Sequence, residues 1–338
     1  MSQATRILLV EDDSSTAGLL TRWLLMSGYH VDVEHSMEEA MKRFRTGQYW
    51  DLVLADIELP GRSGLALTER LRRRWPFLPI MLISGHRDSD VASAALSSGA
   101  LGFLMKPFTR SDLIERLGQI DEWQRQRKRI LAIGAYMDDV EMGCGGTLRK
   151  YTNAGHQVLI LPTLWGFNQT NQTRQESEQA ASILGCQADT WHLLDPSAAT
   201  QDRATAVIRR VIREFRPDII FTHHSADYQQ ERRMIHEATM IAAEHVENVL
   251  CYQSHTATHE ASPRLLVNIK DEFMEKLCAI GCYQSDNMGR AYRDPDHIQS
   301  LAVNWKISAQ PAQLEALHIT RLQEKLSESA PERTAARL

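Results

Sequence analysis

Long apolar runs are missing: no uninterrupted apolar segment approaches the ~20 residues that cross a bilayer, so no membrane span is expected. Cysteine is sparse and unpatterned. Cys144, Cys186, Cys251, Cys278 and Cys282 form no CxxC pair and no zinc-finger spacing, which excludes a disulfide framework or a small zinc module. They read as reduced, mostly buried thiols. The first residues lack the layout of a secretory signal, so the expected location is cytoplasmic. The Asn168-Gln-Thr and Asn171-Gln-Thr matches to glycosylation acceptors then carry no meaning. Positive charge is not in excess either. Lys and Arg number 38 against 43 Asp and Glu, a net charge of −5, which gives no electrostatic footprint for nucleic acid.

What is present is a globular chain long enough for two cores. It has 338 residues, 43% hydrophobic and 24% charged. From Arg6 strands and helices alternate: Ile7–Val10, Ser15–Ser27, Val31–Glu34, Met37–Thr46, Leu52–Ala55, Leu65–Arg74, Ile80–Ile83, Ser89–Ser98, Gly102–Met105, then a helix from Ser111. Five such units predict a parallel doubly wound sheet with helices on both faces. Polar residues gather where the strands end: Glu11 and Asp12, then Asp56, Ser84 and Lys106.

That grouping has one chemical reading. Glu11, Asp12 and Asp56 supply oxygen ligands of the kind Mg²⁺ prefers. Asp56 is the nucleophile for a phosphoryl group, Lys106 neutralises its oxygens and Ser84 offers a hydroxyl. Leu8-Leu-Val-Glu-Asp-Asp13, Asp56-Ile-Glu-Leu-Pro-Gly61 and Lys106-Pro-Phe-Thr109 resemble the response-regulator receiver domains of two-component signalling. The resemblance implies a flavodoxin-like fold, Asp56 as phosphoacceptor and Phe103 as the aromatic that moves with Ser84. It also implies a sensor histidine kinase as partner and a homodimer linked to phosphorylation.

Leu113, Leu117, Ile120 and Trp123 keep a helical spacing toward the basic Gln124–Arg129. No Gly, Pro or Ser-rich linker follows, so a continuous helical connector (123–129) is expected between a receiver (1–122) and a second domain (130–308). That domain opens with the strand Ile130–Ala135. Asp138, Asp139 and Glu141 follow, then Gly143, Gly145 and Gly146, with a helix starting near Thr147. Further strands are expected at Val158–Thr163, Asp189–Leu194 and Asp218–Thr222, and a helix at Arg233–His245. From Pro311, Leu314, Leu317, Ile319, Leu322 and Leu326 suggest an amphipathic helix within a C-terminal segment (309–338). Ser327–Leu338 reads as disordered.

The stretch Ala135-Tyr-Met-Asp-Asp-Val-Glu141, with Gly143-Cys-Gly-Gly-Thr147, resembles the PIG-L (LmbE-like) deacetylases. Gly155-His-x-Val158, Arg174-x-Glu176 and Pro217-Asp-Ile-Ile-Phe-Thr-His-His224 extend the match. The resemblance implies a Rossmann-like α/β domain whose active members hold zinc through a His, the second signature Asp and a later His, with the first Asp as base. Here the first His is Tyr136 and the later Asp-His pair is Glu231-Arg232; Asp138 stands at the base and Asp139 at the surviving ligand. Tyr283 stands where many members have another His. Arginine has no lone pair for zinc and stays protonated, so zinc is not expected and Arg232 is expected to pair with Asp139. His223, His224 and His236 are the residues from which a substitute metal site would be built. The leading expectation is a phosphorylated response regulator whose output domain binds a sugar-like ligand or a protein without cleaving. The alternative is a phosphorylation-gated metal-dependent deacetylase of N-acetyl sugars.

Overall fold

The computed structural model describes residues 5–45, 48, 50–75, 77–85, 95, 98–165, 171–257, 263–285, 293–303 and 313–322. The expected helix Ser89–Ser98, apart from Ala95 and Ser98, and the tail Ser327–Leu338 lie outside them. Two compact units divide the chain, Met1–Gln126 and Arg127–Leu338.

In the first unit, β1 (Arg6–Val10), β2 (His30–Glu34), β3 (Leu52–Asp56), β4 (Ile80–Ser84) and β5 (Gly102–Met105) form a parallel sheet in the order β2-β1-β3-β4-β5. This is the flavodoxin-like order. The strands β1, β3 and β4 are almost continuously apolar and buried because helices cover both faces. The strand order reverses between β1 and β3, and the crevice at such a point is where open α/β sheets place ligands. The last helix, Arg110–Arg125, begins with a Thr109–Asp112 capping box. The helical run expected through Arg129 stops at Arg125, with Gln126 as cap. The backbone that follows is drawn elsewhere. Lys128 N–H donates to His156 Nδ1 (3.3 Å) and Arg129 N–H to Asp218 Oδ2 (2.7 Å), so Arg129 starts a strand.

The second unit is a seven-stranded sheet in the order β11-β12-β10-β9-β6-β7-β8. Its parallel part comprises β6 (Arg129–Gly134), β7 (Gln157–Pro162), β8 (Gln187–Ala188), β9 (Ile219–His223) and β10 (Asn248–Tyr252). The order reverses between β6 and β9, which brings the signature turn beside His223. The expected strand at Asp189–Leu194 is only the two-residue β8, just before it, with a bridge from Leu164 to Leu194.

Two expectations fail here for packing reasons. Leu314–Arg321 is not a helix but strand β12, antiparallel between β10 and β11 (Leu265–Asn268). Its apolar spacing misleads because Glu315 is buried, holding Lys276 (2.6 Å), so the inward face carries a charge. The signature helix runs Asp139–Asn153, earlier than expected, with a break at Cys144. Its glycines serve contact more than turning: a Cβ on Gly143 would sit 2.1 Å from the Tyr252 ring and one on Gly146 2.7 Å from Ile269. After the break the helix has a second start, where Glu315 accepts Gly146 N–H (2.9 Å) and Thr147 N–H (2.7 Å). A carboxylate on free N–H groups of a helix start is an N-cap supplied from a distant strand.

Of the cysteines, Cys144, Cys186 and Cys251 are buried while Cys278 is exposed and Cys282 partly so; all are free thiols. Among the described residues no helix is long and apolar enough to cross a membrane.

Candidate functional site

At the carboxyl ends of β1, β3, β4 and β5 the first unit collects the residues singled out by sequence. Glu11, Asp56 and Ser84 are buried; Asp12 is exposed. Lys106 Nζ donates to Asp56 Oδ2 (2.5 Å) and Glu11 Oε2 (3.1 Å). Burial pushes Glu11 above the usual carboxyl range, and nearby Asp56 adds to this against the Lys106 hydrogen bond. Burial works against the Lys106 charge, yet its bonds to the two carboxylates outweigh that and raise it. Asp56 Oδ1 accepts Glu58 N–H (2.8 Å), and Lys106 N–H reaches Ser84 O (2.7 Å), tying β4 to β5. Phe103 sits half-buried on β5. Asp13 belongs to local structure instead, capping the helix Ser14–Leu25 through Thr16 N–H. Sequence reasoning did not single out Gly64, where a Cβ would stand 2.1 Å from Asp56 O.

In the second unit the turn after β6 brings Tyr136, Asp138, Asp139 and Glu141 to the sheet end, where the helix Gln230–Ala242 supplies Arg232. Arg232 donates to Asp139 Oδ1 through Nε (3.0 Å) and Nη2 (2.5 Å), and to Thr256 Oγ1 through Nη1 (2.5 Å). The other Asp139 oxygen accepts Tyr136 N–H (2.8 Å) and lies 3.0 Å from His223 Nε2. Burial alone would raise the Asp139 carboxyl, but Arg232 holds it well below the usual range. The same contact raises the Arg232 guanidinium against its own burial. Tyr136 is half-buried, and burial together with Glu231 and Asp139 pushes its hydroxyl up to about 12.

Glu141 is fully buried, and burial raises its carboxyl to about 8. Tyr283 Oη stands 2.5 Å from Met137 O and 2.9 Å from Glu141 Oε1. Asp138, the residue before the helix, forms an ion pair with Arg293 Nε at 2.9 Å. Neither Arg293 nor Thr256 carried a motif that sequence could flag.

The histidines do not converge. His223 Nε2 also accepts Ala135 N–H (2.9 Å), His236 Nδ1 donates to His223 O (2.8 Å), and the His224 ring packs edge-on against His318 at 4.7 Å. Among the described residues no three His, Cys, Asp or Glu side chains are placed to hold a metal. For zinc the donor chemistry does not fit: Asp139 has both oxygens engaged, and Tyr136 and Arg232 offer no imidazole. For Mg²⁺ in the first unit the donor type fits, since Glu11, Asp12 and Asp56 offer carboxylate oxygens at one sheet end, but Lys106 lies on Glu11 and Asp56 and the three side chains are not gathered into a ligand group.

The family model of response regulator receiver domains matches residues 7–118, and that of the GlcNAc-PI de-N-acetylase (PIG-L) family matches 131–243. The uncharacterized deacetylase YaiS of Escherichia coli K12 is 30% identical over 172 residues, 47% of this chain and 92% of YaiS. The DNA-binding transcriptional regulator NtrC of Klebsiella pneumoniae is 33% identical over 121 residues, 36% of this chain and 26% of NtrC, so only about a quarter of that relative is spanned. In fold, the conserved protein TT1542 from Thermus thermophilus superposes with a TM-score of 0.51 at 19% identity, over 57% of this chain and 94% of that one. Residues 7–118 thus match a response regulator receiver domain, and by the domain that follows the chain belongs to the PIG-L deacetylase family.

Proposed function

We propose that phosphorylation of Asp56 controls a PIG-L-like output domain that binds its target without hydrolysing it. The receiver is taken as 1–122 and the connecting segment as 123–129, and the output domain is extended past the expected 130–308 to include strand β12, which lies within its sheet. A receiver implies a cognate sensor histidine kinase as phosphodonor. In the proposed step an Asp56 carboxylate oxygen attacks the phosphorus of the kinase phosphohistidine. The O–P bond forms as the P–N bond breaks, and the imidazole leaves with its electron pair. Lys106, already against Asp56, neutralises the phosphoryl oxygens and Ser84 donates its hydroxyl to one of them. Glu11, Asp12 and Asp56 would hold Mg²⁺, which supplies further charge neutralisation when bound. The added negative charge shifts the Ser84 and Phe103 face between two packings, and a change of self-association follows.

The observation that carries the silent output domain is Arg232 on Asp139. A fixed guanidinium lies on the carboxylate that active relatives need for metal, and it cannot be deprotonated away. The test is zinc per chain by atomic emission together with amine release from N-acetylglucosamine. No stoichiometric zinc and no release are expected; one zinc per chain with turnover overturns the reading. The second reading, a phosphorylation-gated deacetylase with a non-standard metal site, draws its support from the similarity to YaiS.

A further inference from the structure

Asp138 raises a separate question from Asp139. It is the residue from which the signature helix starts, yet its side chain makes no capping bond there. Instead it meets Arg293 Nε at 2.9 Å, with the two side chains only 9% and 7% exposed. Arg293 is itself fixed. Its Nη1 donates to Tyr283 O (2.6 Å), and its guanidinium lies 5.8 Å from the Tyr283 ring centroid. Tyr283 in turn is held by Met137 O and Glu141 inside the same turn. The carboxylates of Asp138 and Asp139 thus each face a buried guanidinium, from two segments about sixty residues apart in sequence. A zinc ion carries two positive charges; two arginines carry two.

Resting on the reading of a silent output domain, we propose that Arg293 is the second half of the replacement. Arg232 takes the charge owed to Asp139, and Arg293 locks Asp138, the carboxylate in the position of the family's base. Arg293 is then a positioning residue that keeps Asp138 out of base chemistry independently of whether a metal is present. A guanidinium beside a carboxylate favours its charged form, and a base must give that form up when it takes a proton from water. Restoring the two lost histidines would return metal ligands without returning the base.

Four full-length proteins test this: the native chain, Arg293→Gln, Tyr136→His with Arg232→His, and that pair with Arg293→Gln added. Zinc per chain and amine release from N-acetylglucosamine are measured on each. The double variant is expected to take up zinc with little turnover. The triple is expected to hold the same zinc and turn over at least about tenfold faster, within the ~10²–10⁴-fold that a positioned base contributes. Equal turnover in the two zinc-loaded variants, whether high or nil, overturns the lock. Should neither take up zinc, thermal melting of Asp138→Asn, Arg293→Gln and their combination decides: loss in each single variant with recovery in the pair supports the lock, and additive losses overturn it. A native chain that already holds zinc and turns over would instead sink the silent-domain reading itself.

Discussion

Asp139 Oδ1 accepts two N–H groups of Arg232, Nε at 3.0 Å and Nη2 at 2.5 Å, with both side chains almost wholly buried. A pair so enclosed is costly to break from one side, because the remaining charge stays in a low-dielectric interior. Arg232→Ala is expected to destabilise the second unit by about 3–5 kcal/mol in urea melts. Arg232→Met with Asp139→Asn should recover part of that loss. A single Arg232→Ala variant as stable as the native chain would show that the pair contributes nothing.

Asp56→Asn keeps the shape of the side chain and removes its nucleophilic oxygen. With Mg²⁺ and a small phosphodonor, the native chain should become labelled and the variant should not. Light scattering with beryllofluoride should report a change in mass or shape of the native chain alone. Labelling of the Asn variant at the native rate places the phosphoacceptor elsewhere.

Several imidazoles of the second unit are held neutral. Burial lowers His156, helped by the Lys128 and Arg127 charges; burial, His318 and His236 lower His224, and burial also lowers His236. Each has a folded pKa below its unfolded value near 6.5. Their contribution is therefore fully present above pH 6.5 and is lost as pH falls through the depressed folded values. His156 Nδ1 also accepts Lys128 N–H, a bond that protonation removes. Melting temperature should fall from pH 7 to pH 5, and His156→Asn should flatten part of that slope. A profile unchanged by the substitution rules His156 out as a contributor.

Gly143 leaves no room for a side chain, since a Cβ would come within 2.1 Å of the Tyr252 ring. Tyr252 is fully buried with its hydroxyl on Ile133 O (2.9 Å), so it cannot yield cheaply. Gly143→Ala is expected to cost at least about 1–3 kcal/mol, read as a shifted urea midpoint. Gly118→Ala, on an open helix face with nothing near its Cβ, should be neutral or mildly stabilising by comparison.

The receiver site was legible because its residues lie at consecutive strand ends of a parallel sheet, where topology itself gathers them. In the second unit the signature turn and the Arg232 position followed from the resemblance to the PIG-L family, and the pairing of β6 with β9 brings the turn beside His223. Arg293 could not, because it reaches Asp138 from a segment with no motif and no periodicity. β12 was misread for a related reason: a buried Glu315 looks like a surface residue until Lys276 is found against it. The helix was expected only from Thr147 because sequence cannot show Tyr252 and Ile269 pressing on a helix that already includes the glycines.

Glu315 ties the order of synthesis to the architecture of the signature. The broken helix receives its second N-cap from β12, a strand inserted between β10 and β11. A chain leaving the ribosome would carry Asp138, Asp139 and Arg232 long before residue 315 emerges. Until then Gly146 N–H, Thr147 N–H and Lys276 lack that partner, and β10 lacks its antiparallel neighbour. Folding that proceeds from the N-terminus during synthesis can finish the receiver early, but the sheet of the output domain is complete among the described residues only when β12 arrives.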